Sequence, residues 1–198
     1  MGIENPICRE KTVRPDGFSL IELLAAVAAI LIIAAIAIPN LLRSRMAANE
    51  ASAVGSIRAI NVAAIGYVTI YGNGFPPSLT AIGTTNGVAV GCTNAQLIDD
   101  GLTAGTKSGY TFALQHGLTQ LNSVSSSCSG GYGYADGYAI EARPVTVGTT
   151  GQRAFCLDAT GVIRFNATGA ASPLDGLCLT TDSPLQQNDG TSPGSSRN

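Results

Sequence analysis

The chain has 198 residues, 12% of them charged and 45% hydrophobic, with 24 glycines, no tryptophan and a net charge of -2. Sparse charge without a basic stripe leaves nothing to attract phosphates, so nucleic acid is not the expected partner. The length suffices for one long helix and one compact domain of ordinary size, and not for two large domains.

In chain order, a polar stretch containing Arg9, Lys11, Arg14 and Asp16 leads to Gly17, and from Phe18 to Ile38 only Ser19 and Glu22 are polar. As a helix, the 21 residues from Phe18 would span the roughly 30 Å hydrocarbon core of a bilayer. A lone carboxylate in such a segment is costly unless paired, which makes Glu22 a functional candidate. Two plainer readings compete. Ala35-Ile36-Ala37 imitates a secretory cleavage site, but the apolar run exceeds the usual length and carries Glu22. In an ordinary signal anchor, Glu22 would only complement the positive end of the helix.

Pro39 removes one backbone hydrogen bond, and a kink is expected there without an end to the helix. Beyond it Ile57, Ile60, Ala64, Tyr67 and Tyr71 recur at spacings of 3 and 4 and mark a buried stripe, while Arg45, Asn49, Ser52 and Ser56 mark another face. Residues 40–72 therefore read as an amphipathic half that lies against a domain. One helix from Phe18 to Tyr71 has 54 residues and would run about 80 Å. Gly72-Asn73-Gly74 followed by Pro76-Pro77 stops it.

Pro77 to Gly91 reads as an extended loop, and Asn94 as the cap of a short helix through Asp100, ended by Gly101. Strands are expected at Tyr110–Leu114, Tyr138–Val145, Arg153–Asp158 and Val162–Phe165, with a Gly and Ser loop from Cys128 to Gly137. Short connections make neighbouring strands antiparallel. The fold class is α+β: a long N-terminal helix, its first half membrane-spanning, packed on a roughly four-stranded antiparallel sheet. The expected divisions are a leader at 1–17, a membrane helix at 18–39, the amphipathic half at 40–72, a sheet domain at 73–180 and a disordered tail at 181–198.

With Cys8 in the leader, Cys92, Cys128, Cys156 and Cys178 remain, an even set that suits two disulfides in an oxidising compartment, with three connectivities open. Cys92 and Cys128 flank the first strand region, and Cys178 returns past the strand that holds Cys156, which favours bonds 92 to 128 and 156 to 178. No CxxC exists and the single His116 is far from any cysteine, so zinc and haem lack a ligand set. Asp99, Asp100, Asp136, Asp158 and Asp175 offer oxygens to calcium, but their spacing matches no recognised cage. Gly130-Gly131-Tyr132-Gly133 has no following lysine or helix and reads as a loop, and Asn166-Ala167-Thr168 has glycosylation spacing. No nucleophile, base and orienter can be assembled. No catalytic residue, metal site or cofactor is expected.

The run Gly17-Phe18-Ser19-Leu20-Ile21-Glu22-Leu23, the apolar helix after it and Ile38-Pro39 resemble the type IV pilin and pseudopilin family over about the first third of the chain. Asp16 stands where that family usually has a basic residue, and Ser19 where threonine is commoner. The resemblance implies that a prepilin peptidase and N-methyltransferase cuts after Gly17 and methylates the amine of Phe18. The leader takes three of eleven basic and three of thirteen acidic residues, so 181 residues remain with 8 against 10 and the net charge is kept. The resemblance also implies assembly through Glu22, with an inner-membrane precursor, a pilus or secretion assembly machinery as partner, and a homopolymeric filament on the cell surface. The leading expectation is a pilin, a structural subunit and no enzyme. A pseudopilin of a type II secretion system is the second reading, and a monomeric membrane-anchored binding module the third.

Overall fold

The computed structural model describes residues 17–121, 128, 133–170, 176–179 and 181–185. The expected leader up to Asp16, most of the Gly and Ser loop after Cys128, Asp175 and the expected tail from 186 onward lie outside the described residues. The chain divides into two units, Met1–Leu41 and Leu42–Asn198.

Helix α1, Leu20–Tyr71, runs through both and keeps Pro39 in its interior. It ends where predicted. Gly72 takes a φ of 63°, a left-handed turn open to a residue without a Cβ, while its N–H closes the last turn on the Val68 carbonyl at 2.9 Å.

Within the second unit α1 buries Glu50, Ala53, Ser56, Ile57, Ile60, Ala63, Ala64 and Tyr67. The predicted stripe is therefore the core face, with Tyr71 half-buried at its end. Each fully buried Ile contributes about 1.5 to 3 kcal/mol relative to exposure. Part of the polar face marked by Arg45, Asn49, Ser52 and Ser56 touches the domain as well. Asn49 donates to the Thr150 carbonyl at 2.8 Å, Ser52 bonds Ser108 at 3.0 Å, and Ser56 is buried.

After α1 the chain departs from the expected loop. Ser78 caps a single helical turn, α2, Leu79–Ile82. Asn94 caps no helix, because its side chain is spent on the preceding loop: it accepts from the Thr85 N–H at 2.8 Å and donates to the Val88 carbonyl at 3.0 Å. The helix begins later as α3, Asp100–Thr103, capped by Asp99, so Gly101 lies inside it instead of ending it.

The sheet holds six strands among the described residues, in chain order and antiparallel throughout: β1 Thr106–Lys107, β2 Tyr110–His116, β3 Tyr138–Pro144, β4 Ala154–Asp158, β5 Ile163–Asn166 and β6 Ser183–Pro184. The four expected strands are β2 to β5. The two added ones have two residues each, too short for any alternation to register. Tyr110, Phe112, Tyr138, Ile140, Phe155, Leu157 and Ile163 face the helix-side core. Three tyrosines fasten it: Tyr67 donates to the Cys92 carbonyl and Tyr110 to the Arg153 carbonyl, each at 2.8 Å, and Tyr138 to Asn61.

The other sheet face is covered as well. Ala139, Cys156 and Cys178 form a second buried cluster there, so β3 and β4 are buried on both faces and Glu141 is buried with them. Two disulfides are present, Cys92–Cys128 and Cys156–Cys178, with Cα atoms 5.6 and 5.8 Å apart. The first lies in the helix-side core, the second on the outer face.

Candidate processing and assembly site

Gly17, Phe18 and Ser19 precede the first helical residue. The Ser19 carbonyl accepts the N–H groups of Glu22 and Leu23, each at 3.1 Å, and so opens α1. Glu22 stands in the first turn, where free backbone N–H groups favour a negative charge. It makes no ion pair among the described residues. Gly17, Phe18 and Glu22, the residues expected to serve cleavage, modification and assembly, thus lie within six consecutive positions at the start of α1.

Phe18 is 86% exposed, and the large apolar side chains from Leu20 to Leu42 are exposed without exception, Val27 least at 46%. Eighteen consecutive residues of α1 reach a mean hydropathy of 2.9 with none of them buried, and the helix is long and apolar enough to cross a membrane. Pro39 withholds one N–H from the helical ladder; next to it the Asn40 side chain donates to the Ile36 carbonyl at 3.2 Å.

Further along α1, in the second unit, the exposed stripe is Ala51, Gly55, Arg58, Val62, Ile65 and Thr69, spaced 4, 3, 4, 3 and 4 apart. Arg58 is its one charge. Val62 and Ile65 are 69% and 52% exposed. The solvent side of this half-helix is thus more apolar than a surface helix requires.

The sequence reading passed over Glu50. It is 9% exposed and accepts the N–H groups of Gln152 and Arg153 at 2.9 and 3.1 Å, while the Arg153 guanidinium approaches to 2.7 Å. Burial opposes its charge, but the Gln152 and Arg153 N–H groups and the guanidinium outweigh burial and hold the carboxyl below its ordinary range. The signal was available: Glu50 lies seven residues before Ile57, where the predicted buried stripe continues upstream at the same spacing.

Three of the other acids serve local structure. Asp99 caps α3 and pairs with Lys107 at 2.7 Å, Asp136 accepts the N–H groups of Leu118 and Thr119, and Asp158 accepts from Thr160 and Cys178. Among the described residues no group of three His, Cys, Asp or Glu converges to hold a metal ion. Gly133, the described end of the glycine run, lies where an added Cβ would strike the Asn73 carbonyl, beside the Phe75–Tyr134 bridge. Its place is explained by close packing. Asn166 already donates to Asp182 at 3.0 Å and accepts from the Thr168 N–H at 2.9 Å.

Residues 14–38 match the family model of the prokaryotic N-terminal methylation motif, the type IV pilin or prepilin-type signal. No curated protein and no solved structure matches the chain. The motif supports a pilin-like or pseudopilin precursor and suggests processing by a prepilin peptidase, handling by an assembly machinery and an inner-membrane stage.

Proposed function

We propose that this chain is a type IV pilin, a structural subunit that polymerises through α1 into a surface filament after its leader is cut away at Gly17. The observation that carries the reading is the pairing of a methylation motif at 14–38 with an apolar helix whose large side chains are all exposed from Leu20 to Leu42. Such a surface is stable only in lipid or among other apolar helices. The membrane provides the first environment, and a bundle of identical helices the second. The apolar outer stripe from Ala51 to Thr69 would continue the contact alongside neighbouring copies, with Ala51 and Gly55 permitting close approach.

In this reading 1–17 is removed, 18–39 is the membrane and polymerisation segment, 40–72 carries the domain, and the disulfide-stapled sheet domain is displayed outside. Glu22 sets the assembly register through the Phe18 amine. The chain builds a filament and performs no catalysis.

Electron microscopy of filaments sheared from cells, with mass spectrometry of their subunit, tests the proposal. Long extracellular fibres containing this chain, starting at Phe18, are expected. Recovery of the chain only at the inner membrane within a secretion complex would overturn the surface-pilus assignment, and a monomer under all conditions would overturn polymerisation.

A further inference from the structure

The sequence holds two Asn-Gly pairs, Asn73-Gly74 and Asn86-Gly87. A glycine nitrogen, with no Cβ beside it, is the least hindered backbone group that can reach the side-chain amide of the residue before it, and asparagine is among the thermolabile residues. The fold places the two pairs in opposite surroundings.

Asn73 is 1% exposed. Its link to Gly74 is wedged on both sides: a Cβ on Gly74 would stand 2.7 Å from the Tyr134 carbonyl oxygen, and one on Gly133 would strike the Asn73 carbonyl oxygen. Directly after it, the Phe75 N–H donates to the Tyr134 carbonyl at 2.9 Å and the Tyr134 N–H to the Phe75 carbonyl at 3.0 Å. Ring closure there needs the Gly74 nitrogen to swing toward the Asn73 side chain, and close packing opposes that rotation.

Asn86 and Gly87 are the exposed centre of a turn closed by the Val88 N–H on the Thr85 carbonyl at 3.2 Å. Gly87 has a φ of 80°, and a Cβ added to it would meet nothing within 4 Å. Neither the Asn86 side chain nor the Gly87 N–H has a hydrogen-bond partner among the described residues. The turn is fastened at its ends instead. Asn94 accepts from the Thr85 N–H and donates to the Val88 carbonyl, and the Cys92–Cys128 bond follows.

We propose that Asn86 is a site of spontaneous covalent modification. The Gly87 nitrogen attacks the side-chain carbonyl carbon of Asn86. The bond from that carbon to the side-chain nitrogen breaks, and the nitrogen leaves as ammonia with the proton given up by Gly87. The cyclic imide then takes up one water and opens to aspartate or isoaspartate. No oxidant or reductant takes part. Because the nucleophile is the deprotonated amide, the rate rises with pH. Each event adds one negative charge to a chain of net charge -2, and the isoaspartyl form adds a methylene to the backbone between the two points that Asn94 holds. Asn73 stays intact for as long as the fold does.

The test is peptide mapping by mass spectrometry of the full chain, aged in detergent micelles in mildly alkaline buffer, beside a reduced sample aged in urea. In the folded chain the Asn86 peptide converts roughly ten-fold or more faster than the Asn73 peptide, and in urea the gap closes to within about three-fold. Equal conversion at both pairs in the folded chain, or an Asn86 that reacts only in urea, overturns the assignment. An Asn73 that stays inert in urea would trace the contrast to local sequence and overturn protection by the fold.

Discussion

Glu50 on α1 and Arg153 at the entry to β4 stand 103 positions apart in sequence, yet the guanidinium meets the carboxylate at 2.7 Å while the Arg153 N–H donates to the same carboxylate. The same guanidinium lies 5.5 Å from the centroid of the Phe155 ring and 5.3 Å from that of Phe165, within cation–π range. Helix and sheet are thus joined by a charged latch beside an apolar core, and the latch fixes which turn of α1 the β3–β4 connection meets.

Removing that latch destabilises the second unit. Glu50→Ala leaves the Gln152 and Arg153 N–H groups without their acceptor and is expected to cost about 2 to 4 kcal/mol in urea unfolding of the full chain. The pH dependence follows the same group. Because the folded state lowers its pKa, the contribution is present above the ordinary carboxylate range and is lost as pH falls through the folded value. Glu50→Gln should flatten that acid limb. An unchanged acid limb would assign the pH response to other carboxyls.

How much of this was legible in the sequence depended on whether a residue's role lay in periodicity or in partners. The spacing of Ile57, Ile60, Ala64 and Tyr67 gave the buried stripe, and four strands followed from alternation. Asn94 misled because its side chain can serve a helix N-terminus or a loop equally well, and here the Thr85 N–H and Val88 carbonyl claim it. Alternation assigns two faces to a strand without saying whether the second is covered, and on the outer face of β3 and β4 the cover includes Cys178, more than thirty positions after Glu141. At the candidate site Glu22 stood out as a single acid in a long apolar run, whereas Gly17 and Phe18 were singled out only by the resemblance of the run around them, whose motif matches residues 14–38.

The two disulfides are expected to act independently, since one lies in the helix-side core and the other on the outer face. They join cysteines 36 and 22 positions apart, and each stabilises by about 3 to 4 kcal/mol in a model that credits loop entropy. Replacing Cys156 and Cys178 together by Ala should lower the unfolding midpoint while Cys92–Cys128 still forms, as read by peptide mapping without reduction. A fragment joining Cys92 to Cys156 would contradict the pairing.

Processing is expected at a single bond. The mature chain should begin at Phe18, carrying an N-methyl group, by intact mass of the protein from cell envelopes. Gly17→Leu, which places a bulky side chain where the peptidase requires a small one, should leave the precursor in the inner membrane. A wild-type N-terminus at Met1, or one following Ala37, would overturn the proposed cleavage.

The sharpest prediction concerns Glu22, whose partner is missing within the described chain. Cleavage after Gly17 would create a cationic amine on Phe18, about one helical turn from a carboxylate in the first turn of α1. Once both leave water each loses several kcal/mol of hydration, and only close pairing recovers it. In a single helix the two can pair locally. In a staggered bundle, Glu22 of an arriving copy can meet the Phe18 amine of the copy before it, so charge sets the register while the exposed Leu, Ile and Val side chains supply affinity. Under that arrangement Glu22→Gln leaves membrane insertion and the disulfide-stapled domain intact but severely reduces the yield of sheared filaments. If Glu22 only complements the helix N-terminus, the same change costs about 0.3 to 1 kcal/mol and filaments form normally. Filament yield from cells expressing Glu22→Gln as the sole copy separates the two: wild-type yield removes the intersubunit role, and loss of yield with normal membrane levels of processed protein establishes it.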